Sequence, residues 1–258
     1  MSEIGSQDFI KEAERIIEYA TKRGITLRLM GACAIMLHCP RFGYLYQEMN
    51  RSLSDIDLMG HGRFNHMMKS LFKELGYSPH ERFNALHGYK RQLYYNNKNN
   101  IKADIFFEKL EMCHTIDFKG RLELDYPTIT LSDILLEKVQ IVKINEKDIK
   151  DTIIMLREHD IGEGEKETVN SRYIAKLMSN DWGFCYTATT NLNKIKFFLN
   201  QFSVLTDEDH KDVASKIDKL LRAIENEPKS LKWKMRAKIG TSKKWYVDVE
   251  ELVRETEE

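Results

Sequence analysis

"RSLSDIDLMG", residues 51–60, is the stretch that decides the fold of this chain. It predicts a β-strand in "DIDLMG", although aspartate is depleted in strands. Asp55 and Asp57 are two residues apart, so they project from the same face of a strand, roughly 7 Å apart at the backbone. Ile56 and Leu58 point the other way, into the core. Two like charges side by side on a half-buried element predict a site for a cation, the alternative being a solvated strand face.

A third carboxylate is expected from "IKADIFFE", residues 101–108. Its apolar residues alternate on one face, and Asp104 lies on the opposite face. If this strand neighbours the first, Asp104 joins Asp55 and Asp57, and three crowded carboxylates repel one another unless a cation binds. Mg²⁺ prefers a few carboxylates together with waters and substrate phosphates. The pattern therefore predicts two Mg²⁺ ions on these three residues, in the geometry of two-metal phosphoryl transfer.

The residues around this pair point to a nucleoside triphosphate. "LRLMGACA", residues 27–34, predicts a strand, a glycine turn and the start of a helix. Exposed N–H groups at a helix N-terminus bind anions, so Gly31 and Ala32 are candidate phosphate ligands. Arg51 and Ser54 add a cation and a hydroxyl just before the strand.

Composition narrows the class of protein. Lys+Arg and Asp+Glu balance at 40 each, so a preference for nucleic acid or membrane must be local. No apolar run approaches the length of a membrane span, and the N-terminus is unlike a signal peptide. The four scattered cysteines favour buried, reduced thiols in a cytoplasmic protein over disulfides or a zinc site. No P-loop, HExxH or GxSxG motif occurs.

The order of elements predicts an α/β (α+β) fold with a mixed sheet, followed by a helical part. Strands are expected at "ITLRLMG", "DIDLMG", the hairpin "KRQLYYNN"/"IKADIFFE" and "RLELDYPTIT", with helices between the first three; from Leu131 onward the pattern is helical. The polar connector 160–168 is the expected boundary. We therefore predict a core domain over residues 1–159 and a helical C-terminal domain over residues 160–258.

The motifs taken together resemble the nucleotidyltransferase core of the DNA polymerase β superfamily: Gly31-Ala32 at a strand–helix turn, then "RSLSDIDL", then "KADIFF". The run Arg51-Ser52-Leu53-Ser54-Asp55-Ile56-Asp57 is similar to the "R-x-S/T-x-D-I-D" run of the AbiEii-like prokaryotic group. In that group a helix lysine and a Lys-Asp-x-x-Asp segment follow, which match Lys138 and residues 147–151. Ala32 departs from the usual Gly or Ser, and the stretch between Gly31 and Asp55 is longer than usual.

The resemblance implies a minimal polymerase-β-like core and a Mg²⁺-dependent transfer of a nucleoside monophosphate from an NTP to a hydroxyl acceptor. Asp55, Asp57 and Asp104 would be catalytic and metal-binding, with Gly31, Ala32, Arg51, Ser54 and Lys138 on the nucleotide. The alternative for Lys138 is an ordinary exposed helix lysine. Asp148 and Asp151 share a helix face, and they face the pocket or pair with Lys147 or Lys150. The alternative is a non-catalytic module that binds a nucleotide or RNA. Membership of a toxin–antitoxin pair is a further implication.

The segment Lys229–Trp245 is a candidate contact for an RNA acceptor such as tRNA. It carries seven Lys or Arg, no acid and two tryptophans. Basic residues interleaved with aromatic ones suit phosphate contacts and base stacking. The alternative is a solvated helix face with its tryptophans packed inward. The sequence leaves the oligomeric state open.

Overall fold

The computed structural model describes residues 5–249, which divide into two compact units. Each unit is assembled from separate stretches of the chain. The first unit comprises the chain up to Leu37, Ser52–Leu110 and Asp117–Thr130. The second unit comprises His38–Arg51, Glu111–Ile116 and the chain from Leu131 onward. The expected boundary at residues 159 and 160 lies inside the second unit. Sequence composition could not reveal this, because the units are interleaved rather than consecutive.

The elements follow one another with frequent exchange between helix and strand at first and with helices later. The helices are α1 Ser6–Thr21, α2 Gly31–His38, α3 Leu45–Glu48, α4 Met68–Glu74, α5 Glu81–His87, α6 Leu131–Val139, α7 Glu146–Glu158, α8 Ser171–Met178, α9 Trp182–Phe198, α10 Asp207–Asn226 and α11 Leu231–Ile239. The strands are β1 Leu27–Met30, β2 Ile56–Gly60, β3 Ser78–Pro79, β4 Arg91–Asn96, β5 Ile101–Phe107, β6 Lys109–Glu111, β7 Thr115–Asp117, β8 Asp160–Gly162 and β9 Thr168–Asn170.

The first unit is built on a five-stranded mixed sheet in the order β1-β2-β5-β4-β3. The pair β2–β5 is parallel, while β1–β2, β4–β5 and β3–β4 are antiparallel. The predicted hairpin is confirmed as β4–β5. The prediction of an α/β fold with a mixed sheet and a helical C-terminal part is also confirmed.

The core of the first unit follows from the apolar periodicity of its elements. α1 buries Ile16 and Ile17 on one face, and β2 buries Ile56 and Leu58 completely, on the face opposite to Asp57. Such burial contributes about 1.5–3 kcal/mol per large aliphatic side chain. The sheet is therefore a rigid support for the polar residues on its other face.

The prediction of a strand at residues 121–130 is wrong. This stretch forms turns, and in it only Thr128 makes an isolated bridge, to Leu29 of β1. Pro127 offers its carbonyl oxygen to the Leu29 N–H at 3.0 Å, but proline has no N–H with which to continue a ladder. Alternating polarity here reflects contacts of a turn rather than a strand.

The second unit is largely helical, with α7, α8, α9 and α10 packed around a core that includes Ile153, Ile154, Val213 and Ile217. α10 begins with a capping box, in which Thr206 and Asp209 exchange hydrogen bonds between side chain and backbone. The connector expected at residues 160–168 contributes β8, which pairs in parallel with β9.

Two further expectations can be compared with the structure. All four cysteines are buried, as predicted, and the structure joins none of them in a disulfide. None of the helices within the described range combines the length and the apolar character needed to cross a bilayer.

Candidate functional site

Asp57 and Asp104 lie opposite one another on adjacent strands of the first unit. They are Cα partners in the parallel register of β2 and β5, and Asp57 also pairs in register with Met30, the last residue of β1. Partners in neighbouring strands project from the same face of a sheet. The predicted adjacency of these two carboxylates is therefore present. Asp104 is only 2% exposed.

Asp55 precedes β2 rather than belonging to it. Its carboxylate is about one third exposed, at 35%, and accepts a hydrogen bond of 2.9 Å from the Ser54 hydroxyl. The carbonyl oxygen of Asp55 lies 3.5 Å from the buried Cys33 thiol of α2. Ser54 thus orients the Asp55 side chain, and its contact with a nucleotide stays a prediction.

Gly31 joins β1 to α2 in a conformation that only glycine adopts without strain, with φ of +67°. A Cβ atom on this residue would lie 2.6 Å from Oδ2 of Asp57, closer than atoms of this kind approach. The absence of a side chain is thus what allows the Asp57 carboxylate to reach the first turn of α2. The partial positive charge of a helix N-terminus favours an anion there.

Two cations that the sequence analysis did not assign surround Asp104. Arg91 of β4 donates two hydrogen bonds to its oxygens, 2.8 Å to Oδ1 and 2.6 Å to Oδ2. The ammonium of Lys102 lies 3.4 Å from Oδ2 of Asp104 and 3.9 Å from Oδ2 of Asp55. The spacing of Lys102 and Asp104, two apart on a strand, is the one signal that could have identified the lysine.

Burial lowers the pKa of Arg91, but the hydrogen bonds that Arg91 donates to Asp104 and the charges of Asp104, Asp57 and Asp55 outweigh it, so its pKa is raised. Arg91 is therefore a permanent cation beside the aspartates. Its guanidinium also lies over the Phe106 ring, 4.8 Å from the centroid. This cation–π contact adds to the bidentate pairing of Arg91 with Asp104.

Carboxylate oxygens are suitable ligands for Mg²⁺, and Asp55 and Asp57 would be the residues that hold one ion, which keeps several of its waters. Asp104 fits a second ion less readily, because Arg91 hydrogen-bonds both of its oxygens. Within residues 5–249, the three aspartates do not form a set with one oxygen from each within 4.8 Å of the others. A second ion at Asp104 requires Arg91 to release an oxygen.

Arg51 and Lys138, both predicted to bind the nucleotide, contact the same carboxylate in the second unit. Arg51 donates hydrogen bonds of 2.8 and 2.9 Å to the two oxygens of Asp151, and the Lys138 ammonium lies 3.1 Å from Oδ2. Lys138 also pairs with Asp148 at 3.3 Å. The alternative that Lys138 is an exposed helix lysine is wrong, since it is 7% exposed.

The charges in this network keep all its members ionised. Burial raises the pKa of Asp151, but Lys138 and Arg51 outweigh that effect and lower it overall. Burial likewise opposes the charge on Lys138, yet Asp151 and its acidic neighbours hold its pKa well above the usual value. The prediction that Asp148 and Asp151 pair with Lys147 or Lys150 is not met: Lys150 pairs with Glu146 at 2.6 Å.

The basic segment Lys229–Trp245 contributes α11 to the second unit. Lys229 donates hydrogen bonds to backbone carbonyl oxygens near the end of α10, including that of Glu227 at 2.7 Å. The Trp245 indole donates to the Thr187 hydroxyl at 3.0 Å and packs edge-on against Tyr186. Five lysines remain exposed: Lys232, Lys234, Lys238, Lys243 and Lys244. The segment thus offers charge to a partner, while Trp245 packs inward.

Comparison with known proteins gives two similar solved structures. One is described as the antibiotic-resistance factor ANT(2'')-Ia, with 14% identity over 85% of this chain and 96% of that chain, and a TM-score of 0.39. The other is an antigenic nucleotidyltransferase-like protein from Paracoccidioides brasiliensis, with 14% identity over 89% and 97% of the two chains and a TM-score of 0.41. No family model and no curated protein matches the sequence.

Proposed function

We propose that this protein is a Mg²⁺-dependent nucleotidyltransferase, which moves a nucleoside monophosphate from an NTP to a hydroxyl acceptor. The observation that carries the proposal is the register of Asp57 with Asp104, beside a glycine turn that lets the Asp57 carboxylate approach the start of α2. A solvated strand face has no need for this close approach. A site for a metal–phosphate complex does, because carboxylates and helix N–H groups must face the same ligand.

Asp55 and Asp57 are proposed to hold the Mg²⁺ that grips the triphosphate. When bound, Mg²⁺ supplies neutralisation of the charge that develops on the phosphate oxygens. The backbone amides of Gly31 and Ala32 are proposed to face the phosphates. This arrangement tolerates alanine at position 32, because it uses no side chain of that residue. Ser54 holds the Asp55 carboxylate in place through its hydrogen bond.

Asp104 is proposed to serve the acceptor side of the reaction. A second Mg²⁺ shared with Asp104 is part of the proposal only in a state in which Arg91 has released one oxygen. Arg91 and Lys102 keep Asp104 neutralised before that state is reached. They also prevent three carboxylates from repelling one another in the substrate-free protein.

The acceptor is proposed to be a hydroxyl of RNA such as tRNA, of a protein or of a small molecule. The exposed lysines of Lys229–Trp245 support RNA among these three. A toxin–antitoxin role, the AbiEii-like grouping and a cytoplasmic location rest on the sequence alone, and a neighbouring antitoxin gene would support the first.

The experiment is label transfer from α-³²P-labelled NTPs, each base separately, to total RNA, to protein and to the chain itself. We expect Mg²⁺-dependent transfer that falls about 10²–10³-fold in Asp55→Asn and in Asp57→Asn, which is the loss of several kcal/mol of charge stabilisation. Asp117→Asn is the matched control, because Asp117 is an exposed carboxylate of the same unit, at 52%. Transfer that survives both site variants would contradict the proposal.

A second candidate is a non-catalytic module that binds a nucleotide or RNA. It is favoured by the complete pairing of Asp104 with Arg91, which leaves this carboxylate satisfied without a metal. In that case the protein binds NTP equally well with and without Mg²⁺ and transfers no label to any acceptor.

A further inference from the structure

A cluster of two histidines and a glutamate in the second unit is unrelated to the aspartates described above. His38, His159 and Glu167 each place one potential ligand atom within 4.8 Å of the other two. They come from the last residue of α2, the residue after α7, and the loop between β8 and β9. No motif spacing in the sequence joins them, so the sequence analysis missed them. In the part of the chain that the structure describes, this is the only such set of three or more His, Cys, Asp or Glu residues.

The geometry of the cluster suits a tetrahedral or related metal site. Nδ1 of His38 lies 3.6 Å from Oε1 of Glu167, and Nδ1 of His159 lies 3.7 Å from Oε2 of the same carboxylate. Two ligand atoms bound at the usual zinc distances in a tetrahedron are about 3.3–3.6 Å apart. The observed separations are close to that value.

A hydrogen bond fixes which ring nitrogen of His159 carries the proton. Its Nε2 lies 2.8 Å from the backbone carbonyl oxygen of His38, which can only accept, so Nε2 carries the proton. In the neutral imidazole Nδ1 is then an acceptor, and it faces the carboxylate of Glu167, also an acceptor. A cation between the two resolves this conflict. A ring N–H donated to a backbone carbonyl is also the usual second contact of a metal-binding histidine.

The setting of the three residues is consistent with a built site. The side chains of His38 and His159 are 9% and 6% exposed, whereas that of Glu167 is 61% exposed, so the cluster is held from inside and reached from solvent. Glu167 has a φ of +48°, in the left-handed region that non-glycine residues rarely adopt. Strain of this kind persists where the surroundings require a particular side-chain position.

We propose that His38, His159 and Glu167 bind one divalent transition-metal ion, of which Zn²⁺ is the representative. Imidazole nitrogens with one carboxylate select Zn²⁺, Fe²⁺ or Ni²⁺ over Mg²⁺, which prefers oxygen ligands only. This site is therefore chemically distinct from the proposed Mg²⁺ site. With three protein ligands, it retains a coordination position for water or another ligand.

The test is isothermal titration of the full, tag-free chain with Zn²⁺ in excess Mg²⁺, together with the visible spectrum of the Co²⁺ complex. We expect one Zn²⁺ per chain, and affinity lowered by at least about tenfold in Glu167→Ala and in His159→Ala. Glu163→Ala is the matched control, since Glu163 is an exposed glutamate of the same loop. It should bind like the unmodified chain.

Glu167→Ala also distinguishes loss of a metal ligand from loss of folding. Glu167 is an exposed loop residue whose replacement should leave the fold intact, whereas His159 is buried. Absence of Zn²⁺ binding, or binding equal in Glu167→Ala and Glu163→Ala, would overturn the proposal and leave an imidazolium–carboxylate cluster. The Asp55→Asn/Asp57→Asn variant separates this proposal from the proposed function. It should retain full Zn²⁺ stoichiometry even where nucleotidyl transfer fails.

Discussion

Arg91 donates hydrogen bonds of 2.8 and 2.6 Å to the two carboxylate oxygens of Asp104, from the neighbouring antiparallel strand. Arg91 thereby neutralises a carboxylate that is almost wholly buried, and the Lys102 ammonium is a second cation, 3.4 Å from Oδ2. Any ligand that uses Asp104 must therefore compete with an arginine already in place. In the proposed function, the opening of this pair would determine whether the site binds one Mg²⁺ or two.

Replacing Arg91 distinguishes two effects of this residue, which are competition with Mg²⁺ for Asp104 and stabilisation of the fold. In Arg91→Gln we expect a loss of about 1–3 kcal/mol in the free energy of unfolding without Mg²⁺, because a buried carboxylate loses a charged partner. We expect Mg²⁺ to raise the melting temperature of this variant more than that of the unmodified chain, since Asp104 is then open to the ion. Thermal unfolding across a Mg²⁺ series measures both effects. An equal or smaller Mg²⁺ response in Arg91→Gln would show that the arginine does not compete with the ion.

The close approach of Gly31 to Asp57 can be tested against a second glycine of the same unit. Gly31→Ala and Gly24→Ala both force alanine into a left-handed backbone, which costs about 1–2 kcal/mol in each. Only at Gly31 does the new Cβ meet a carboxylate; at Gly24 nothing lies within 4 Å. We expect Gly31→Ala to lose at least as much stability as Gly24→Ala, and only Gly31→Ala to lose Mg²⁺ affinity, by about tenfold or more. Equal Mg²⁺ titrations in the two variants would refute a role for this approach.

The Arg51–Asp151–Lys138 network gives a large expected effect on stability. Asp151→Asn leaves two buried cations without their shared carboxylate, so we expect a loss of about 3–5 kcal/mol in the free energy of unfolding. Lys69→Gln is the control: it breaks an exposed pair with Glu81, and we expect a change within about 0.5 kcal/mol. Urea unfolding at neutral pH measures both. A small loss in Asp151→Asn would indicate that water compensates the two cations.

The same network has a defined pH dependence. The pKa of Asp151 is lowered on folding from its ordinary value of 3.8, so its stabilisation is present above that value and is lost as pH falls through the folded pKa. The stability difference between the unmodified chain and Asp151→Asn should therefore be constant near neutrality and shrink in acid. Urea unfolding across that range measures it, and a difference that grows in acid would contradict the assignment.

His114 should make the protein less stable as pH falls below 6.5. Nε2 of His114 lies 2.9 Å from the Thr187 hydroxyl, which also accepts a hydrogen bond from the Trp245 indole. Burial among apolar neighbours, including the stacked Phe184 ring, lowers its pKa to about 4. Below pH 6.5 the unfolded chain takes up a proton that the folded chain refuses, which costs about 2–3 kcal/mol by pH 4.

The pH profile of unfolding measures this cost. His114→Phe should flatten the profile between pH 6.5 and 4, whereas His66→Gln, at an exposed histidine, should leave it unchanged. A profile that keeps its slope in His114→Phe would assign the acid sensitivity to another group.

The sequence predicted those helices, strands and site residues that depend on local patterns. Apolar periodicity placed α1, β2, the β4–β5 hairpin and the later helices, and the two-residue spacing of Asp55 and Asp57 identified the acidic face. It did not predict the partners of buried charges, because these are set by contacts between distant residues. Arg51 and Asp151 are 100 residues apart, and the three residues of the histidine cluster share no spacing. The assignment of Arg51 and Lys138 to a nucleotide therefore did not anticipate that both contact a carboxylate of their own chain.

The interleaving of the two units constrains how the chain acquires its structure during synthesis. The polypeptide crosses from one unit to the other five times. The first unit has all its segments once residue 130 has been made, whereas residues 38–51 must wait for the helices that follow. Until then Arg51 lacks Asp151, and Arg41 lacks Glu158, to which its guanidinium and backbone bind. Nascent chains stopped after residue 130 should therefore fold the first unit, while residues 38–51 still lack the carboxylates that α7 supplies.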